Sequence, residues 1–590
     1  MSDLAAAPDG GARRAAASGR VGRALAAWGP ALPLLAVLAF CLVVPVALLL
    51  ARSFVTVDGI GLGAWSRVLA TPLNQRAIVT SVELGLACAI VSVVVGTPLA
   101  WLVSRMLAGR RASWLGLFNV AAHFGGIGLA FAYVATLGSF GMVTLLLRGA
   151  GLEATPPDRA SLAALVITYE HANIPLFVLL TVPAMGMLRE EWWEAAQTAG
   201  ASRLQFWRRI GLPLLLPFIG AGFVLSFTWS IGIYGIAYAL AGQSAALPIQ
   251  LITLQIGEAL SNDAIRGPER AAVLSVVLMA LAIGALLLYR ALLRRGTRWL
   301  AAGRGATSGT ERSARPASGG RLGRLGGKLL FGGFALYIVL PIVAVLLYSL
   351  AGRWTANVLP DYLTLAHWQR ALASTRIGGA FVTSLSLAGW TTLIVLALTV
   401  PAAYWARVRN ARIRPLLELS AAIPFALPFV VLGFALLHFT GTFVPPLQGT
   451  YTLVVLAYVA VSFPFVYWAI DNALAAADVR RLTEAAAVAG ASTWQTIRRV
   501  VLPNIRAGIA TAAMLAFALA IGEFALVKVL AGSLNTIPIL SASMMLDSGG
   551  TFAPLAVVTS IVFVMLFVMS VAIAWLNRDR LTGSLAGPAR

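Results

Sequence analysis

Charge is what this sequence has least of. Only 11% of its 590 residues are Asp, Glu, Lys or Arg, against roughly 25% in an average soluble chain. A chain of this length would make about four soluble domains on a 150-residue scale, but the charged surface to solvate four domains is missing and 59% of the residues are hydrophobic. That excludes an ordinary cytosolic enzyme and a disordered protein. Lysine is scarcer still: Lys328 is followed by Leu and Lys528 by Val, so neither completes G-x-x-x-x-G-K-[ST], whose lysine neutralises phosphate charge. The chain is therefore not expected to hydrolyse ATP. The two cysteines, Cys41 and Cys88, lie in apolar runs and offer neither a disulfide framework nor zinc spacing. H-E-x-x-H, G-x-S-x-G and any Cys/His cluster are also missing. No catalytic residue, metal site or bound cofactor is expected.

What is present is apolar sequence in long runs. A helix needs about 20 mainly apolar residues to cross the roughly 30 Å hydrocarbon layer, and twelve stretches meet that length: 31–53, 78–104, 113–140, 161–187, 214–241, 271–293, 329–350, 379–405, 415–439, 451–477, 505–531 and 552–576. The first is too long for a signal-peptide core. The net charge of +22 belongs to the membrane as well. With the N terminus inside, 33 of the 44 basic residues fall on the cytoplasmic side and 11 on the outer side. This is the asymmetry expected when Lys and Arg resist translocation. It places both termini inside and leaves no case for nucleic acid as a partner.

The chain also repeats itself. Residues 194–213 (EAAQTAGASRLQFWRRIGLP) align without a gap with 484–503 (EAAAVAGASTWQTIRRVVLP), at 12 identities in 20 positions. The same offset joins 231–242 to 521–532, and 79–101 resembles 382–404, each ending its run with a proline, Pro98 or Pro401. Two six-span units in one orientation follow, at 31–296 and 328–577. They are flanked by tails at 1–30 and 578–590 and joined by a Gly/Ser/Arg-rich stretch at 297–327 that cannot build a core. The expected fold is all-α, two homologous halves in a parallel pseudo-twofold arrangement.

Each repeated segment lies in the loop between the fourth and fifth spans of its half, at 188–213 and 478–503. Helix formers and first-turn acids open it. Gly200 and Gly490 supply a left-handed helix end, and Leu212-Pro213 and Leu502-Pro503 open the next span. Small alanines leave a face that another protein can approach closely. The pattern Glu194, Ala195, Ala196, Gly200, Leu212, Pro213, matched by Glu484, Ala485, Ala486, Gly490, Leu502, Pro503, resembles the EAA loop of permease subunits in bacterial ABC importers. Both halves carry the likeness, which leaves out the tails and linker. The fused form resembles the permeases of ferric iron and thiamine importers, as do IPFALPFVVLGFALL (423–437) and GEFA (522–525); the first half departs there with GIYG (232–235).

The resemblance implies that the two loops dock into two copies of an ATP-hydrolysing subunit. It also implies an extracytoplasmic solute-binding protein as delivery partner, the bacterial inner membrane as location, and alternating access as the mechanism.

Ionisable residues inside spans are costly and are functional candidates by default. Here they are Glu83, His123, Glu170, His171, His438, Asp471, Glu523 and Lys528. Interfacial solvation near span ends accounts for Glu83, Glu170, Asp471 and Lys528, whereas Glu523 lies deeper. Glu523, Glu170 and His171 are the candidates for a translocation path. The competing reading is a twelve-span secondary transporter with Glu523 or Glu170 as a proton site, which gives no reason for duplicated loops.

Overall fold

The computed structural model describes residues 28–302 and 321–576, apart from 58, 124, 153, 154, 187, 189, 243–248, 355, 356, 358 and 547–551. The tails, apart from residues 28–30, and most of the linker, 303–320, lie outside the described residues. The linker's expected ends do not: helix Gly267–Ala302 runs through 297–302, and helix Arg321–Leu350 begins at 321.

Among the described residues ten helices are long and apolar enough to cross a membrane, and two bent pairs bring the number to twelve. The long continuous members include Pro72–Ser104, Leu162–Met185, Thr375–Val408 and Tyr451–Ala476. Several spans that read as single runs are broken. The third is divided into Ala108–His123 and Gly126–Leu137. Its repeat partner, the ninth, is likewise divided, into Ile413–Ala426 and Phe429–Phe443. The fifth stops at Gly232 and resumes at Gly235, and the eleventh stops at Gly522 and resumes at Ala525. Each of these last breaks follows a glycine, a weak helix former. A hydropathy window averages across a two-residue break and does not register it.

Stretches expected to be plain outer loops contain structure. Short helices Ile252–Asn262 and Ile537–Leu546 follow the broken fifth and eleventh spans. Each has its first N–H bound by a serine of its half's second span: Ile252 donates to Ser81 Oγ at 2.9 Å and Ile537 to Ser384 Oγ at 2.8 Å. Helix N-termini leave donors unpaired, and a side-chain oxygen relieves that cost. Between the first and second spans of each half lies a two-stranded antiparallel hairpin, Val55–Thr56 with Gly59–Ile60 and Ala351–Arg353 with Tyr362–Leu363.

The chain forms two compact units that cut across the sequence repeats. One comprises Met1–Val44, Gly389–Pro424 and Leu456–Phe517; the other comprises Pro45–Ala388, Phe425–Val455 and Ala518–Arg590. In the larger unit Phe177 is fully buried at the centre of an apolar core. Gly96 and Gly222, from the second and fifth spans, let those helices close on it, because a Cβ at either would come within 2.5 or 2.6 Å of the ring. In the smaller unit Gly508 lies against Ala473 in the same way, at 2.3 Å.

Candidate functional site

The two repeated loops fold alike to the level of single hydrogen bonds. Helix Glu190–Thr198 ends where Gly200 turns to φ +78°, and helix Val479–Val488 ends where Gly490 turns to φ +76°. Ala201 then donates to Ala196 O at 2.9 Å and Gly200 to Gln197 O at 2.9 Å, while Ala491 donates to Ala486 O at 2.9 Å and Gly490 to Ala487 O at 3.0 Å. This pair of backward bonds is the Schellman ending that a left-handed glycine permits.

The next helix opens with a reciprocal cap. Ser202 N–H donates to Gln205 Oε1 at 2.8 Å and Gln205 N–H to Ser202 Oγ at 3.3 Å; Ser492 and Gln495 repeat both distances. The S-x-x-Q spacing of this capping box is written in both copies and is a signal that reading the loop for Glu, Gly and Leu-Pro passes over. A wide turn follows, at Trp207–Gly211 and Thr496–Val501, before Leu212-Pro213 and Leu502-Pro503 begin the next helix.

Glu194 and Glu484 are exposed, the fifth and sixth residues of their helices. The acids of the first turn are Glu190 and Glu191 in the first copy, while Glu194 and Glu484, expected near a helix N-terminal turn, stand four and five residues into helices that begin at Glu190 and Val479, so the terminal dipole acts on other residues. Arg480 Nε donates to Glu484 Oε1 at 3.2 Å across one helical turn. The alanine pairs divide, with Ala195 and Ala485 outward, Ala196 buried and Ala486 half-buried. Leu204 and Trp494, which occupy the same repeat position, are 67% and 66% exposed.

What holds each loop to its own half differs. The first meets its half at aromatic rings: Trp207 of the loop packs edge to face on Trp101 of the second span at 4.9 Å, and the Arg105 guanidinium lies 4.2 Å over Trp101. Within the loop Trp193 meets Phe206 at 5.2 Å. The second meets its half through polar bonds: Tyr404 and Thr483 hydroxyls lie 3.3 Å apart, and Arg409 donates to Thr493 Oγ1 at 3.4 Å. Just before the loop, Arg407 of the eighth span grips Asp471 of the tenth through two bonds of 2.5 and 2.7 Å. Arg414 stands 3.7 Å from the same carboxylate.

The intramembrane candidates separate in the same way. Glu170 is the ninth residue of its helix and 2% exposed. It accepts from Ser92 Oγ at 2.8 Å and Asn173 Nδ2 at 3.3 Å, and Asn173 reaches on to Ser230 Oγ at 2.9 Å. Protein hydroxyl and amide groups therefore solvate it, in place of the interface expected. Asp471, 9% exposed, has its arginines for the same purpose. His171 Nδ1 lies 3.2 Å from Tyr133 OH. Glu523 Oε2 accepts the Leu526 N–H at 2.9 Å and so caps the helix after the break. Glu83 is exposed, and the side chain of His123 lies outside the described residues.

Comparison with known proteins places both halves in one family. Residues 85–298 and 398–581 each match the binding-protein-dependent transport system inner membrane component family. The chain belongs to that family. It is similar to a probable ABC transporter permease protein of Sinorhizobium fredii, at 26% identity over 66% of this chain and 67% of that one. A stretch of 162 residues is 35% identical to the molybdenum transport system permease protein of Azotobacter vinelandii, covering 26% of this chain and 71% of that protein. Another likeness is to a putative 2-aminoethylphosphonate transport system permease protein of Salmonella typhi, 27% identical over 36% of this chain and 80% of the relative. A duplicated permease with this many apolar helices is a multi-pass inner-membrane transport component.

Proposed function

We propose that this permease is the membrane conduit of an importer, opened alternately inward and outward by two separate ATPase subunits that dock on the loops at 188–213 and 478–503. The observation that carries this reading is the likeness of the loops. Two segments 290 residues apart keep the same cap, the same left-handed glycine and an exposed apolar residue at one position, Leu204 or Trp494. A connector needs none of these, whereas a docking surface needs a rigid backbone and an apolar contact. On this reading the loops and termini face the cytoplasm, ATP is bound only by the partners, and a binding protein delivers cargo outside.

The cargo is proposed to be a small oxyanion. The resemblance to iron and thiamine permeases is not shared by the relatives named above. Phosphonate is an oxyanion, molybdenum travels in water as one, and a further relative of Chlorokybus atmophyticus, 32% identical over 33% of this chain, is named for sulfate transport. The complex should be reconstituted with its ATPase and binding protein and offered molybdate, sulfate, 2-aminoethylphosphonate, iron(III) and thiamine. ATP-dependent uptake of one of the first three is expected. Uptake of iron(III) or thiamine alone would overturn the cargo, and gradient-driven uptake by the chain without any ATPase would overturn the importer.

A further inference from the structure

The breaks in the fifth and eleventh spans meet each other. Tyr234 and Phe524 hold the same position in the two repeats, and their rings stack at 5.7 Å with 18° between planes. Tyr238 completes the group, 5.6 Å from Tyr234 and 5.1 Å from Phe524. The rings are shut away from solvent, Tyr234 and Phe524 at 3% exposure and Tyr238 at 8%. Gly235 lies against the same ring: a Cβ built there would make ordinary contact, 3.4 Å from the Cβ of Phe524. Yet Gly522, two residues before Phe524, is exposed, with nothing within 4 Å of where its Cβ would be. On another flank the Lys528 ammonium lies 5.8 Å from the Tyr238 ring.

Continuous helices would pack these rings without interrupting their backbones. Non-helical backbone at membrane depth persists only where protein buries it or where it lines a water-filled cavity, and here each break has been given its own partners. Ile233 O is approached at 3.4 Å by the hydroxyls of Tyr169 and Thr253, and Glu523 caps Leu526. The breaks thus lie at matched positions, are individually repaired, and bring an apolar plug between an open glycine and a lysine.

We infer that Tyr234, Tyr238 and Phe524 form the barrier that seals the conduit in this conformation, and that it parts at the two backbone breaks each time a solute passes. An aromatic constriction of this kind excludes water and ions by dewetting. The inference rests on the permease reading, and it names the residues that must separate.

Two experiments on the full-length chain test it. In liposomes loaded with radiolabelled sulfate and given no ATP, Phe524→Ala should raise efflux on the order of tenfold over the unmodified chain. Phe524→Tyr, which copies the other repeat, should stay tight. Equal efflux from Phe524→Ala and the unmodified chain would overturn the barrier. Second, Gly235→Cys with Phe524→Cys places two Cβ atoms at 3.4 Å, next to the roughly 3.5–4.5 Å span of a disulfide; the native cysteines Cys41 and Cys88 are both buried. In the complex with its ATPase and binding protein, oxidation should stop uptake of whichever of molybdate, sulfate or 2-aminoethylphosphonate the unmodified complex moves, and reductant should restore it. Full uptake with the cross-link complete would overturn the inference. An unmodified complex that moves none of the three would count against the proposed function and leave the sulfate efflux result to decide the barrier.

Discussion

The two loops carry one backbone on two kinds of foundation. Matched positions make the contrast direct: Trp101 corresponds to Tyr404, Trp193 to Thr483, Ser104 to Arg407 and Thr181 to Asp471. The first loop meets its half at a tryptophan pair that also carries the Arg105 guanidinium. The second meets its half through hydroxyls, next to an ion pair that joins the two spans before it. Duplication has preserved the shape presented outward and let the means of support diverge. The interior shows the reverse exchange. Glu170, Asn173 and Ser230 of the first half correspond to Ala460, Phe463 and Ala520 at the matched positions of the second. Each half thus buries one acid in its fourth span, Glu170 or Asp471, at a different position along it, and satisfies it locally.

The largest effect should come from the feature the loops share. Proline at Gly200 and Gly490 cannot reach φ near +78° or +76°, since its ring holds φ near −65°, and it deletes an N–H that the helix end uses. We expect uptake to fall to background with span insertion unchanged, checked by proteoliposome transport and by ATPase co-purification. Normal transport with full co-purification would show that the matched turns are not the docking geometry.

Next are substitutions that should strike one loop only. Asp471→Asn leaves Arg407 and Arg414 facing a neutral amide. Removing one partner of a fully buried pair costs roughly 3–5 kcal/mol. With side-chain exposures of 20% and 13% the loss here should be about 2 kcal/mol. Trp207→Ala removes a ring pair worth about 0.5–1.5 kcal/mol beyond its buried area. Hydrogen exchange over residues 479–501 and 190–211 separates the cases: Asp471→Asn should loosen the former by freeing the span that leads into it, and Trp207→Ala the latter. Equal loosening of both loops by either substitution would dissolve the contrast.

A smaller effect is expected from Tyr404→Phe, which deletes one hydroxyl bond to Thr483 at 3.3 Å. A net loss of about 1 kcal/mol is typical, and thermal unfolding of the purified chain should show it as a slight shift. No shift would show that this hydroxyl bond adds nothing to the hold on the second loop.

How much of this could be read in advance follows from what each signal averages over. The duplication, the loops and the count of apolar runs rest on patterns 20 residues long, and such patterns survive in a linear reading. The breaks at 233–234 and 523–524 are two residues wide and vanish inside a hydropathy window. The helices Ile252–Asn262 and Ile537–Leu546 are too short to span and are held by serines 171 and 153 residues away, so no local pattern announces them. Asp471 looked like an interfacial acid because its arginines lie 64 and 57 positions earlier in the chain. The barrier had a visible trace in GIYG against GEFA. What could not be seen was that the aromatic residues of these two segments touch.

The smallest expected effect belongs to the two glutamates that first marked the loops. Had they stood in first turns, each carboxylate would gain about 0.3–1 kcal/mol from the helix dipole. In mid-helix that gain is lost. Glu484 keeps a bond to Arg480 at 3.2 Å, with the side chains 64% and 76% exposed, and exposed pairs of this kind contribute about 0–1 kcal/mol. Glu194→Gln and Glu484→Gln should therefore leave the melting of the isolated permease nearly unchanged, singly or together. Any loss must arise in the complex, where a partner's basic groups can meet the carboxylates. Solute-stimulated ATP hydrolysis should fall in a graded way for the Gln forms, further for the pair, and furthest for Glu194→Lys and Glu484→Lys. If hydrolysis is unchanged even in the Lys forms, docking rests on the left-handed turns and on Leu204 and Trp494. If the isolated permease melts earlier in the Gln forms, the glutamates serve the loop's own fold, and their effect on hydrolysis cannot be assigned to docking.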